Sequence, residues 1–332
     1  MTSRPPRAAH RLLLVAAGVA ALVGCSLTDL AGLQLSLIND QVRLDRAIER
    51  ERDPERRLLL REVPAIVAFG EQVVGLRAGR SYSGYFETER KGLTFVVTAC
   101  ERLRFEPYAW WFPIAGRVEY RSYRDEEDAT AQVEELEAAG YDTWVSKSRA
   151  YSTLGIFRDP VITTMLRDGL PSLVEILIHE LSHAKLYVPG HTDWNEALAS
   201  FVGERGAERY FQAPRFAGTP YPAEVQARAL RRNEFEVMIL EATRELEQLY
   251  AGPLPEAAKL RAREIVFERL SAQLRLMFPR EEPNAWRMNN ARLVHYRRYS
   301  ASNALLESMW RASGEDFRRF WLRLEQHSRT LD

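Results

Sequence analysis

The sequence predicts an α+β chain that is mostly α, and three observations carry that prediction. Apolar residues recur at helical spacing over 25–80 and again over 156–332, with proline and glycine as punctuation. Between them, 81–155 is dominated by aromatic and β-branched residues in short runs that read as strands. The 332 residues are 46% hydrophobic, which is ample for a folded core, and the expectation is one domain over 25–332. Lys plus Arg and Asp plus Glu both number 46, so the totals carry no electrostatic footprint for nucleic acid.

The elements follow in order. Residues 1–24 read as a lipoprotein signal peptide, with Arg4, Arg7 and Arg11 ahead of the apolar run Leu12 to Val23 and a lipobox at Leu22-Val23-Gly24-Cys25. The apolar run is too short for the roughly 20 residues that span a bilayer. Cleavage would leave Cys25 as a diacylated N-terminus at a membrane surface, and Ser26 after it points to the periplasmic side of an outer membrane. Cys100, the only other cysteine, is then expected to be unpaired.

From Thr28 to about Gly79 a helical tether and scaffold is predicted, with Leu33, Leu37, Leu44 and Ile48 on one stripe and breaks at Asp53-Pro54 and Pro64. Strands are predicted at 93–98, 117–121 and 143–146, with a polar helix from Asp125 to Ala139 that Gly140 ends. That is a β-α-β unit. A strand leading into Tyr151 offers an edge along which extended peptide backbone can pair. Beyond Pro160 the chain reads as helical to its end, with stops at Gly252-Pro253, Phe278-Pro279 and Gly314.

Chemistry concentrates at His179-Glu180-Leu181-Ser182-His183, an H-E-x-x-H run at the end of the apolar stretch 173–178. Residues four apart share a helix face, with Cβ atoms roughly 5–6 Å apart, so both imidazoles reach one ion while Glu180 stands beside the open coordination position. Leu170-Pro171-Ser172 supplies the helix start and Val188-Pro189-Gly190 the stop. A catalytic zinc site needs a third protein ligand, and Glu196 is the best candidate. Asp193-Trp194-Asn195-Glu196 also fits a capping box, in which the glutamate would serve only its own helix. Against that, Glu196, Ala199, Ser200, Gly203 and Ala207 form a small-residue stripe that lets two helices approach closely. Glu204 lies about 12 Å farther along the same helix, so only one of the two glutamates reaches the ion. His191 comes too late for an H-E-x-x-H-x-x-G-x-x-H pattern and is expected to be an exposed loop residue.

The segment Asn195-Glu196-Ala197-Leu198-Ala199-Ser200-Phe201 resembles the N-E-x-x-A-S-[FY] run of gluzincin aminopeptidases, at a shorter distance from the second histidine. More broadly, the chain resembles the bacterial family of predicted aminopeptidase lipoproteins. The resemblance rests on 110–113, 120–123, 150–160, the H-E-x-x-H, the N-E-x-x-A and Asn289-Asn290-Ala291-Arg292-Leu293. It implies a zincin-like fold, one Zn2+ per chain on His179, His183 and Glu196, Glu180 as catalytic base, and a peptide substrate. The tyrosine that follows the family's N-N-A-x-L segment corresponds to Tyr299, which becomes the first choice for stabilising the oxyanion, with His295 and Tyr151 behind it. Two cysteines of the family pattern near Trp111 and Arg117 are missing, so any disulfide there is lost. The G-x-M-E-N segment that binds the substrate's α-amino group in gluzincin aminopeptidases is also missing, which keeps a zinc endopeptidase open. Ser200 stands where thermolysin has an Asp, leaving open what orients the histidines. The rival from another class is a non-catalytic envelope lipoprotein, but a structural site closes all four positions and gives Glu180 no role.

Overall fold

The computed structural model describes residues 35–90, 92–112, 116–148, 158–279, 283–300 and 302–331. The segment 1–24 read as a signal peptide, Cys25 and Tyr151 lie outside them. In chain order the elements begin with β1 (Val42–Arg43), α1 (Leu44–Arg50), α2 (Pro54–Phe69), β2 (Gly84–Phe86), β3 (Thr94–Glu101), β4 (Trp110–Phe112), β5 (Gly116–Val118), β6 (Arg121–Tyr123), α3 (Glu126–Ala138) and β7 (Tyr141–Ser148). They continue with β8 (Val161–Ile162), α4 (Gly169–Lys185), α5 (Thr192–Phe211), α6 (Tyr221–Ala251), α7 (Glu256–Met277), α8 (Asn290–Ser300), α9 (Asn303–Ala312) and α10 (Phe317–Ser328). The chain is α+β and mostly helical. It divides into two compact units, neither continuous in sequence, one built around 91–148 and 241–295 and the other from 40–90, 149–240 and 296–332.

The first unit holds a three-stranded sheet in the order β6-β3-β7. Both outer strands run antiparallel to β3, so β6 and β7 are parallel to one another and α3 joins them as a split β-α-β crossover. Alternation along β3 sends Phe95, Val97 and Ala99 into a core with Ala129 and Leu136 of α3, while Cys100 packs with Ala291 and Val294 of α8. Cys100 is free and buried, and burial pushes its thiol up to about 12, which leaves it inert. The predicted strand 117–121 is two strands instead. β5 pairs with β4, Trp111 opposite Arg117, whereas β6 pairs with β3, so the chain changes sheet between Val118 and Arg121.

A buried polar network ties α8 into this unit. Asp142, 7% exposed, accepts from Arg263 Nη2 at 2.7 Å and from the Asn290 backbone N–H at 3.1 Å. The Asn290 amide donates to the Glu101 carbonyl at 2.8 Å and accepts from the Tyr250 hydroxyl at 2.8 Å, while the Asn289 side chain caps α8 by accepting from the Arg292 N–H at 3.0 Å. The N-N-A segment is thereby a structural joint.

The second unit is a helical layer with a small sheet, β1-β2-β8, that helical patterning over 28–79 did not foretell. β1 and β8 are two residues each, too short to show a period. Asp53 caps α2 by accepting from the backbone N–H groups of Glu55 at 2.8 Å and Arg56 at 3.2 Å. Pro64 was expected to break this helix, yet α2 runs through it. The lost hydrogen bond is outweighed by the face that Leu60, Val63 and Ile66 bury completely, each contributing roughly 1.5–3 kcal/mol. α4 and α5 pack along their length and carry the site. Among the described residues no helix is long and apolar enough to cross a membrane.

Candidate metal centre

α4 begins after Asp168, where Gly169 takes φ +75°, and presents Leu173, Val174, Leu177, Ile178 and Leu181 to the core. The spacing of those residues leaves His179 and His183 one turn apart beside the buried stripe, with Glu180 next to them. The helix ends at Lys185, where the Leu186 N–H bonds back to the Ser182 carbonyl at 3.1 Å. Asn195 then fixes the turn into α5. The residue is 2% exposed, and its amide accepts from the Val188 N–H at 2.8 Å and donates to the Val188 carbonyl at 2.8 Å. This is the role of the asparagine ahead of Glu196, and the capping-box pattern gave no hint of it.

α5 starts at Thr192, with His191 at the N-cap, so Glu196 sits beyond the capping position and its carboxylate turns to the histidines instead. His179 Nε2 and His183 Nε2 are 3.2 Å apart, and the two Glu196 oxygens lie 3.5 Å from His179 Nε2 and 3.6 Å from His183 Nε2. Among the described residues this is the one group of three or more His, Cys, Asp or Glu that converges this tightly, with all ligand atoms within 4.8 Å. A tetrahedral ion with bonds of about 2.0–2.2 Å separates its ligands by about 3.3–3.6 Å, so the triangle is of the size zinc requires. Glu204 is absent from the triangle, paired with Arg232 instead. His191 is half-buried, not the exposed residue expected, and stands apart from the triangle.

The small-residue stripe sets the helix separation. A Cβ on Gly203 would lie 2.8 Å from the Glu175 carbonyl oxygen and 3.3 Å from His179 Cβ, closer than a side chain tolerates. One turn away, Ser200 Oγ lies 3.4 Å from His179 Nδ1. A histidine that offers Nε2 to an ion carries its proton on Nδ1, and Ser200 Oγ stands where it could accept that proton's hydrogen bond. His183 Nδ1 has no hydrogen-bond partner among the described residues.

Electrostatics separate the roles. Burial pushes the Glu180 carboxyl up to about 7, with the charges of Glu196 and Asp159 adding to it and that of His179 opposing. Burial holds His183 down at about 4. For His179 burial is the largest single influence and acts downward, but the hydrogen bond to Glu196 and the charges of Glu180, Glu196 and Glu175 together raise it. A carboxyl titrating near neutrality beside a metal-sized triangle is suited to take and return a proton.

Two phenols near the triangle escaped the sequence reading. Tyr82 is 3% exposed and, at φ +61°, holds a left-handed backbone conformation that a bulky residue seldom adopts. Its N–H donates to the Asp159 carbonyl at 2.6 Å, and burial, then the charges of Glu180 and Asp159, raise its phenol well above the ordinary value. Tyr187, half-buried on the loop after α4, is raised by burial and by Glu196. Neither stands in a motif, and only an unusual φ or a spatial neighbour marks them. Of the tyrosines proposed from sequence, Tyr151 lies outside the described residues and Tyr299 has only its backbone described, in the last turn of α8. His295 packs edge-on to Trp144 at 4.3 Å, in the unit that does not hold the triangle.

No curated protein and no solved structure matches this chain at a significant level. The family described as Putative aminopeptidase matches it over residues 27–331, nearly its whole length, and the chain belongs to that family.

Proposed function

We propose that the protein is a zinc-dependent peptidase of aminopeptidase type, carrying one Zn2+ on His179, His183 and Glu196. The observation that carries this reading is the ligand triangle of 3.2–3.6 Å edges with a carboxyl of pKa about 7 one residue along from His179. The ion, when bound, supplies Lewis acidity that activates water and polarises the scissile carbonyl. Glu180 takes the proton from the attacking water and passes it to the leaving amine. Tyr82, buried and within electrostatic reach of Glu180, and Tyr187, within reach of Glu196, are the described phenols that could donate to the developing oxyanion. Among the described residues three ligands converge and no fourth, and this supports a catalytic over a structural site, where Glu180 would be idle. The lipobox at Leu22 to Cys25 supports attachment of the protein to a membrane through Cys25, facing the periplasm from an outer membrane.

The test is Glu180→Gln. Turnover of a peptide library is expected to vanish while zinc stoichiometry stays at one, and retained activity would overturn the mechanism. Comparing free with N-acetylated peptides separates the exopeptidase from a zinc endopeptidase. Preference for free amines is the expected result.

A further inference from the structure

Arg232 on α6 reaches the pair of ligand-bearing helices from outside the metal triangle. Its guanidinium pairs with Glu204 of α5 and lies 3.9 Å from the Glu175 carboxylate of α4. Glu175 is one turn before His179, and Glu204 is two turns after Glu196. The clamp therefore crosses the two helices beside Gly203, where an added Cβ would meet the Glu175 carbonyl. The side chains of Arg232, Glu204 and Glu175 are 25%, 23% and 33% exposed, so water screens the two carboxylates on facing helices only in part. The neighbouring arginines are engaged elsewhere, Arg228 with Glu224 at 3.1 Å and Arg205 with Glu208 and Glu307 at 2.8 and 2.7 Å.

We propose that Arg232 is a positioning residue for the metal centre: by neutralising Glu175 and Glu204 it holds α4 and α5 at the separation that keeps Glu196 against His179 and His183. The inference rests on the zinc reading and adds what secures it. Without the guanidinium, two carboxylates repel across the helix contact, and the displacement is transmitted along rigid helices to ligands one and two turns away. The ligand atoms must hold their places within about 0.2 Å. Disturbing such a supporting group costs about 10–100-fold in metal affinity.

The experiment is zinc affinity of the full-length chain by chelator competition, with thermal denaturation of the metal-free protein alongside, for wild type, Arg232→Met, Arg232→Lys and the uncharged triple variant Arg232→Met/Glu175→Gln/Glu204→Gln. Arg232→Met is expected to bind zinc at least about tenfold more weakly. Arg232→Lys and the triple variant are expected within about threefold of wild type, because each removes the repulsion, one by charge and the other by its absence. Wild-type affinity in Arg232→Met overturns the proposal alone, and a wild type that takes up no zinc overturns the zinc reading and the proposal with it. Should Arg232→Met fail to fold, the triple variant decides, since a folded triple that binds zinc about tenfold more weakly than wild type overturns it.

Discussion

Gly203→Ala is the smallest change that tests how the helix pair makes the site. The added Cβ would stand 2.8 Å from the Glu175 carbonyl oxygen and 3.3 Å from His179 Cβ. The first neighbour is helical backbone and cannot swing aside, so the helices must part by roughly 0.5 Å, and overpacking of this kind costs about 1–3 kcal/mol. Replacing a mid-helix glycine returns about 1 kcal/mol of helix propensity, leaving a net loss of about 0–2 kcal/mol. The effect on the metal is larger in proportion. The Nε2–Nε2 edge lies within α4 and is unchanged, but the edges of 3.5 and 3.6 Å to Glu196 cross between the helices and open by a comparable amount. Tolerances of about 0.2 Å are then exceeded, and zinc affinity is expected to fall about 10–100-fold, or about 1.4–2.8 kcal/mol. Chelator competition reads the affinity, and thermal denaturation of the metal-free protein reads the stability. A Gly203→Ala protein that binds zinc within about twofold of wild type would refute the reasoning.

In the metal-free protein, Glu180 sits at about 7 against an ordinary 4.5, so folding favours its protonated form; that contribution is complete below pH 4.5 and is lost as pH rises through 7. Glu180→Gln should therefore be more stable than wild type at pH 8 by about 3 kcal/mol at most, and about half that given the carboxyl's partial access to water, with equality near pH 4; equal urea midpoints at pH 8 would contradict this. His183 works the other way: its pKa is lowered to about 4, so metal-free stability present above pH 6.5 should decline as pH falls toward 4, and His183→Gln should remove that slope in a pH series of melts. Ser200→Ala removes the acceptor for His179 Nδ1 and should weaken zinc about tenfold without lowering the metal-free melting temperature; unchanged affinity would leave His179 without an orienting partner. Asp142→Ala strips the partner from Arg263 and Asn290 in the first unit and should cost about 3–5 kcal/mol in urea unfolding, a loss under about 1 kcal/mol being the refuting result.

What the sequence determined by itself is what one helix or one strand can encode. The four-residue spacing of His179 and His183 fixes their shared face before any tertiary contact forms. Glycines and prolines marked the ends of α6, α7 and α9, and the polar run after Asp125 marked α3. Where an element's fate hung on its neighbours, local signals misled: Pro64 stayed inside α2 because the buried face outweighs one missing hydrogen bond, and the run after Gly116 split because two different strands pair with its halves. Only the tertiary structure decided that the Glu196 carboxylate lies against the two histidines, that Asn195 staples the connecting turn, that Ser200 lies beside His179, and that Tyr82 and Arg232 stand where they do. Tyr82 is about a hundred residues from Glu180 in the chain, and Arg232 approaches from a third helix. How closely Gly203 lets α4 and α5 meet is likewise a separation between helices, written in no periodicity along either one.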